Sequence, residues 1–251
     1  MSSPSSATAA ADAAAPISSP ARLVSVFTSP GRTFADIARA PHFVLCIAVQ
    51  VVVGMSYWGL ILHRIGSYNL ARQALLQTAR GRAMDPAALQ SAASLTGKLY
   101  SYSLYATPVF GILFALFMGV IFLGVSNLLL GQEARYKQAL SMTCHALLTT
   151  TLYALVAMLL LVLMPDPTNF QFTNPIGTNP AFFMDKASSS AFVYAFATRL
   201  DLFTIWGVIL LAIGLAKLGG KKGKVSSAFW ATFTLWMLYC LVTSGIAAAF
   251  A

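Results

Sequence analysis

The sequence predicts an all-α fold, a polytopic integral membrane helical bundle of about five transmembrane helices. Three observations predict it. Of 251 residues, 58% are hydrophobic and only 9% are charged, whereas a water-soluble domain carries about 25% charged residues. Too little charge remains to cover a globule, so apolar surface must face lipid. The apolar residues also fall in continuous runs rather than alternating, which excludes a transmembrane barrel. Finally, four long runs contain no Asp, Glu, Lys or Arg, and each such charge at a helix centre would add about 2.5 to 3.5 kcal/mol to insertion. Backbone groups in lipid must be satisfied within their own segment, so these runs are helices.

Residues 1–20 are mostly Ser, Ala and Pro, with Asp12 the one charge. They have nothing to bury and are read as disordered. They lack the basic start and apolar middle of a secretory signal. Residues 21–251 form the membrane domain. It opens with a short helix capped by Ser29, with Pro30 at its first position. Phe34 and Ile37 share one face of that helix while Arg32 and Arg39 can meet phosphates, which predicts a helix lying flat on the inner leaflet.

The spans are expected at residues 43–62, 106–130, 142–164, 195–217 and 228–250. The fourth is the least regular. Its uninterrupted run, 202–216, rises only about 23 Å against a roughly 30 Å hydrocarbon core. The apolar stretch 191–198 extends it backwards as one helix through Arg199 and Asp201, which read either as interfacial and snorkelling or as a buried polar contact. Between the first two spans, residues 63–105 read as two helical pieces divided before Pro86. Asp85 caps the second, which runs until Pro108 intervenes. Residues 165–190 read as an ordered, turn-rich loop anchored by Phe170, Phe172, Phe182 and Phe183.

The chain holds 16 Lys and Arg against 7 Asp and Glu, a net charge of +9. These cations lie between apolar runs, so the bilayer explains them better than nucleic acid does. Arg135, Lys137, Lys217, Lys221, Lys222 and Lys224 crowd the short segments 131–141 and 217–227. The positive-inside rule then puts the N-terminus in the cytoplasm and the C-terminus outside.

Chemistry for catalysis is sparse. Cys46, Cys144 and Cys240 sit in three different runs without metal-ligand spacing and read as buried small residues. His42 and His63 bracket the first span, His145 reads as an interface histidine, and no HExxH is present. Only Asp201 lies near a span, which excludes a two-aspartate protease on count. Ser126 with His145 is the sole pairing open to a serine protease, and a preceding glycine is all that supports it. The glycine- and lysine-rich segment 219–224 lacks the GKS or GKT ending of a nucleotide loop and reads as an inside loop attracted to anionic lipid. No enzyme, metal or cofactor is expected. Gln50, Asn127 and Thr149, Thr150 and Thr151 suit interhelical hydrogen bonds. The small faces Gly111, Ala115, Gly119 and Ala212, Ala216 suit close packing, within the bundle or in a homo-oligomer.

Five segments carry a resemblance. They are Phe27-Thr28-Ser29-Pro30-Gly31-Arg32-Thr33-Phe34, Ile37-Ala38-Arg39-Ala40-Pro41, Asn174-Pro175-Ile176-Gly177-Thr178-Asn179, Phe182-Phe183-Met184-Asp185 and Asp201-Leu202-Phe203-Thr204-Ile205-Trp206. In this order they resemble the Ypt-interacting protein (Yip) family, in its prokaryotic branch, over residues 22–250. The resemblance implies a five-span helical domain with a cytoplasmic N-terminus. Eukaryotic relatives bind prenylated Rab-type GTPases. That partner is not carried over, because the chain read here offers no long acidic or aromatic cytoplasmic tail. The expected function is that of a non-catalytic scaffold or adaptor in the cell membrane, whose partners are the lipid bilayer and a membrane or cytoplasmic protein. The alternative is a small permease or carrier component for an apolar or amphipathic solute. The motif residues expected to face partners are Pro30, Gly31, Arg32 and Phe34 near the N-terminus, and Asn174, Pro175, Gly177, Asn179, Asp185 and Asp201 in the second half.

Overall fold

The computed structural model describes residues 15–167, 170–172, 174–186, 188–220 and 223–249. The expected disorder of residues 1–20 falls outside the described residues up to residue 14. From there the chain enters two short helices, α1 (Ser19–Thr28) and α2 (Pro30–Arg39). Both start with a proline at the first turn, where its missing N–H costs no hydrogen bond. The α1 helix adds to the elements read from sequence. Its signal was the same Ser–Pro start that marked α2, with Ser18 Oγ accepting from the Ala21 N–H at 3.4 Å.

The first span is α3 (Val44–Ile65), followed by α4 (Ser67–Leu76) and the single turn α5 (Ala79–Arg82). Next comes α6 (Pro86–Gly124), capped by the Asp85 carboxylate on the Ala88 N–H, and then a π-helical turn at Val125–Leu129. The third span is α7 (Tyr136–Ala146) and α8 (Leu148–Leu163), and a 3-10 turn at Pro180–Phe183 interrupts the loop after it. The chain ends in α9 (Ala191–Arg199), α10 (Leu202–Leu218) and α11 (Val225–Ala249). Among the described residues four helices can by length and composition cross a membrane, or five when α9 and α10, bent by 54°, count as one broken span.

Three elements differ from their expectation. Pro108 lies inside α6 and does not end it. The ring removes the donor that would serve the Leu104 carbonyl, one bond lost from a helix of 39 residues, while the hydroxyl of Thr107 beside it donates to the Ser103 carbonyl at 2.9 Å. The third span is split at Leu147, between α7 and α8. The fourth is not one helix, because it breaks at Leu200 and Asp201.

Two apolar clusters hold the bundle. One joins Phe34 and Ile37 of α2 to Leu140 and Met142 of α7 and to Leu211 and Leu215 of α10. The other, toward the opposite end, gathers Ile61, Ile65, Leu70, Leu161 and Phe170. Small residues set the spacing. A Cβ on Gly119 would stand 3.2 Å from the Leu140 Cα, and one on Gly111 would meet Val51 at 3.6 Å. The small face of α6 therefore packs within the chain, against α7 and α3. Ala212 and Ala216 are likewise buried.

Candidate functional site

The polar residues that read as scattered loop and interface positions converge at the α9–α10 break. Asp201 caps α10, its Oδ1 accepting from the N–H groups of Phe203 at 2.9 Å and Thr204 at 3.4 Å. Its Oδ2 accepts from the Thr178 hydroxyl, and the Thr178 carbonyl accepts from the Leu202 N–H at 3.1 Å. The NPIGTN loop is thus stitched by side chain and backbone to the first turn of the fourth span. Within the loop, Asn174 and Asn179 pair their amides reciprocally, at 2.7 and 3.3 Å, and both are buried. Gly177 is exposed, with its α-carbon so near the Phe182 ring that a Cβ would come within 3.1 Å. Pro175 is half-buried.

Of the two readings open for Asp201, this arrangement selects the buried polar contact, its relative exposure being 6%. Arg199 and Asp201 do not share a helix. Arg199 ends α9, and its guanidinium donates to Thr243 Oγ1 at 2.6 Å and to the Ala195 carbonyl at 2.7 Å. A cavity of about 190 Å³ opens beside the break, lined by Thr150, Tyr153, Asn174, Asn179 and Asp201 among others. Tyr153 had no sequence signal. It packs edge-on against Phe203, ring centroids 5.6 Å apart, and so walls the cavity from α8.

At the other end of the bundle, α1 and α2 form a hairpin fastened by polar contacts. Asp36 accepts from Arg22 Nε at 2.9 Å and Nη2 at 2.8 Å, while Arg22 Nη1 donates to the Ala40 carbonyl at 2.8 Å. Gln138 of α7 donates to the Ala38 carbonyl at 2.7 Å, and Ser141 to that of His42 at 2.9 Å. Here the expectation for Phe34 is overturned. The ring is 1% exposed and packs in the core, so it cannot face a partner. An amphipathic helix suits a neighbouring helix as well as a lipid surface, and the bundle took it. Arg32 and Arg39 remain exposed, Pro30 and Gly31 are half-buried, and the Lys217 side chain passes beside Gly31.

The remaining candidates lie apart. Asp185 is exposed, its carbonyl accepting from the Ser189 N–H and hydroxyl. Beside it, Lys186 donates to Gln77 Oε1 at 2.9 Å and lies 5.7 Å from the Tyr194 ring centre. Burial, then repulsion from Arg82, holds the Lys186 ammonium below the usual lysine range. His145 is not at an interface. It is 2% exposed, with Nδ1 at 2.7 Å from the Ser141 carbonyl of its own helix. The three cysteines are buried. Gln50 makes the interhelical bond expected of it, to the Cys144 carbonyl at 2.6 Å. Asn127 brackets both backbone groups of Ala134, whereas Thr150 donates within its own helix turn.

No curated protein and no solved structure matches the chain. The family model that does match is the Yip1 domain, over residues 24–246. That range takes in both ends of the bundle, from α1 to the last turns of α11. With its four or five apolar helices long enough to cross a bilayer, the chain is a multi-pass membrane protein and belongs to the Yip1 domain family.

Proposed function

We propose that the protein works without catalysis, as a scaffold or adaptor that organises lipid and protein partners. In this reading it resides in the cell membrane, with α1 and α2 on the cytoplasmic side and the C-terminus outside. The observation that carries the reading is the surface around α2. Arg32 and Arg39 are exposed on a helix whose opposite face is locked into the core by Phe34 and Ile37, with Lys217 alongside. Held rigidly, such a basic surface offers fixed geometry to anionic headgroups or to an acidic protein segment. Crosslinking followed by affinity purification in mild detergent tests it. A recurrent protein partner, lost in an Arg32→Glu, Arg39→Glu double variant that still folds, supports the adaptor. A homo-oligomer would show as a chain-to-chain product in the same crosslinks.

The break between α9 and α10, with its cavity, favours the second reading, a carrier component, because discontinuous helices often line solute sites. Solute-dependent uptake by proteoliposomes holding this protein alone, with no partner recovered from cells, would replace the first reading with the second.

A further inference from the structure

The α9–α10 break holds a buried carboxylate, and among the described residues no ion pair reaches it. The guanidinium nearest in sequence, Arg199, is engaged with Thr243 and Ala195. Asp201 receives three donors, the N–H groups of Phe203 and Thr204 and the Thr178 hydroxyl. A carboxylate can accept about four. The α10 N-terminus offsets roughly half a charge. Some negative charge and one acceptor position therefore remain in a cavity of about 190 Å³.

Two threonines of the lining point the same way. The Thr150 hydroxyl spends its proton on the Leu147 carbonyl at 2.6 Å, and Thr198 spends its own on Ala195 at 2.7 Å. The Thr178 proton goes to Asp201. In the lining, the Thr150 and Thr198 oxygens thus have lone pairs to offer and no proton to give, while the Tyr153 and Thr204 hydroxyls can act either way. Acceptors of this kind beside a buried carboxylate suit a positively charged donor. The edge-on Tyr153 and Phe203 rings give it an apolar wall suited to a short alkyl chain. A divalent metal fits poorly, since no group of three His, Cys, Asp or Glu among the described residues could hold one. An ammonium fits well, with three N–H donors for hydroxyl and carboxylate acceptors. At about 30 Å³ per liquid water, the cavity takes a group of ethanolamine size.

We propose that this cavity binds a primary ammonium group, with Asp201 as its counter-ion and the Thr150 and Thr198 oxygens as acceptors. Either a dissolved amine or the headgroup of phosphatidylethanolamine supplies that chemistry. Both can reach the site. Along α10 the distance from Asp201 to Lys217 is about 24 Å, which sets the cavity near the far boundary of a roughly 30 Å core. Amine binding here stands or falls independently of any partner at α2.

The test titrates ethanolamine hydrochloride into the full chain in detergent and follows thermal unfolding against potassium chloride of equal ionic strength. Native mass spectrometry after exposure to phosphatidylethanolamine or phosphatidylglycerol forms the second arm. Asp201→Asn removes the charge and keeps the cap, because asparagine caps as well as aspartate. Thr150→Val removes one acceptor and leaves the break untouched, so it serves if the first variant fails to fold. The expected result is a saturable rise in Tm with ethanolamine, its apparent Kd weakened about tenfold or more in Asp201→Asn and less in Thr150→Val. Preferential retention of phosphatidylethanolamine, lost in the variants, assigns the lipid headgroup. Saturation by ethanolamine without lipid retention assigns a dissolved amine. Equal stabilisation by potassium chloride overturns the proposal, as does an unchanged ethanolamine response in both variants or no response in the wild type.

Discussion

The Arg22 guanidinium and the Asp36 carboxylate form a buried ion pair between α1 and α2, both side chains 4% exposed and Nη2 2.8 Å from Oδ2. Asp36 Oδ2 also accepts from the Ile17 N–H at 3.2 Å, and Arg39 approaches Oδ1 at 3.6 Å. The pair thus ties the chain before α1, the body of α1 and the end of α2 into one unit. Removing one partner leaves the other buried and uncompensated, which costs about 3–5 kcal/mol. Asp36→Leu or Arg22→Met should lower the unfolding temperature sharply in detergent. The double variant, apolar at both positions, should recover much of that loss, because no buried charge is left over. Additive losses in the double variant would show that the two residues act separately.

A second prediction concerns the seam between α10, α7 and α2. A Cβ on Gly214 would stand 2.4 Å from Met142 Cγ and 3.3 Å from Phe34 Cδ1. Methionine can yield, but only by pushing on a core that Phe34 and Leu215 already fill. Gly214→Ala should therefore cost about 1–3 kcal/mol, as overpacked cores do. Gly124→Ala, where nothing lies within 4 Å, is the control and should be neutral or slightly stabilising, since alanine favours helix. Thermal unfolding of the two variants side by side reads the difference.

Much of this architecture was legible because bilayer thickness alone demands long apolar runs, and α3, α6, α7 joined to α8, and α11 satisfy that demand locally. The break after Arg199 was not legible from breakers, since residues 191–206 hold neither Gly nor Pro. It comes from a tertiary contact, the NPIGTN loop taking the Leu202 N–H onto Thr178 and capping α10 through Asp201. An aspartate standing directly before an apolar run was the one signal available. Motif residues such as Asn174, Asn179 and Asp201 were recognisable as a set, but only the fold reveals that they meet. Tyr153 and Asp36 carried no pattern at all. Their roles exist only in the company of residues distant in sequence.

Lys186 gives a pH prediction. Its folded-state pKa lies below the ordinary 10.5, first through burial and second through Arg82. The unfolded chain then holds the proton more tightly than the folded one across the window between that lowered value and 10.5. Stability should therefore rise with pH through this window, and charged Lys186 is a liability below it. The stability difference between wild type and Lys186→Gln should narrow or change sign as pH climbs toward 10.5. Arg82→Gln should shrink the effect. A difference flat from neutral pH upward would contradict the sign.

The reciprocal amide pair of Asn174 and Asn179 tests what holds the loop against the bundle. Each side chain is nearly buried, at 3% and 5% exposure, and each both donates to and accepts from the other. Asn179→Leu strips Asn174 of its partner in a place water reaches poorly, and an orphaned buried amide costs about 1–3 kcal/mol. Asn174→Leu should do the same to Asn179. With both replaced, no orphan remains and only the net worth of the hydrogen bonds is lost, about 1 kcal/mol each at most. The double variant should then be less destabilised than the sum of the single variants, with a coupling of about 0.5–3 kcal/mol. The readout that separates loop from bundle is limited proteolysis between residues 165 and 190. The single variants should be cut there faster at temperatures where α3 and α11 stay protected, because the loop is held by these polar contacts while the spans are held by the apolar ones. Simultaneous loss of loop and spans would mean instead that the Asn174–Asn179 pair is part of the same cooperative unit as the bundle.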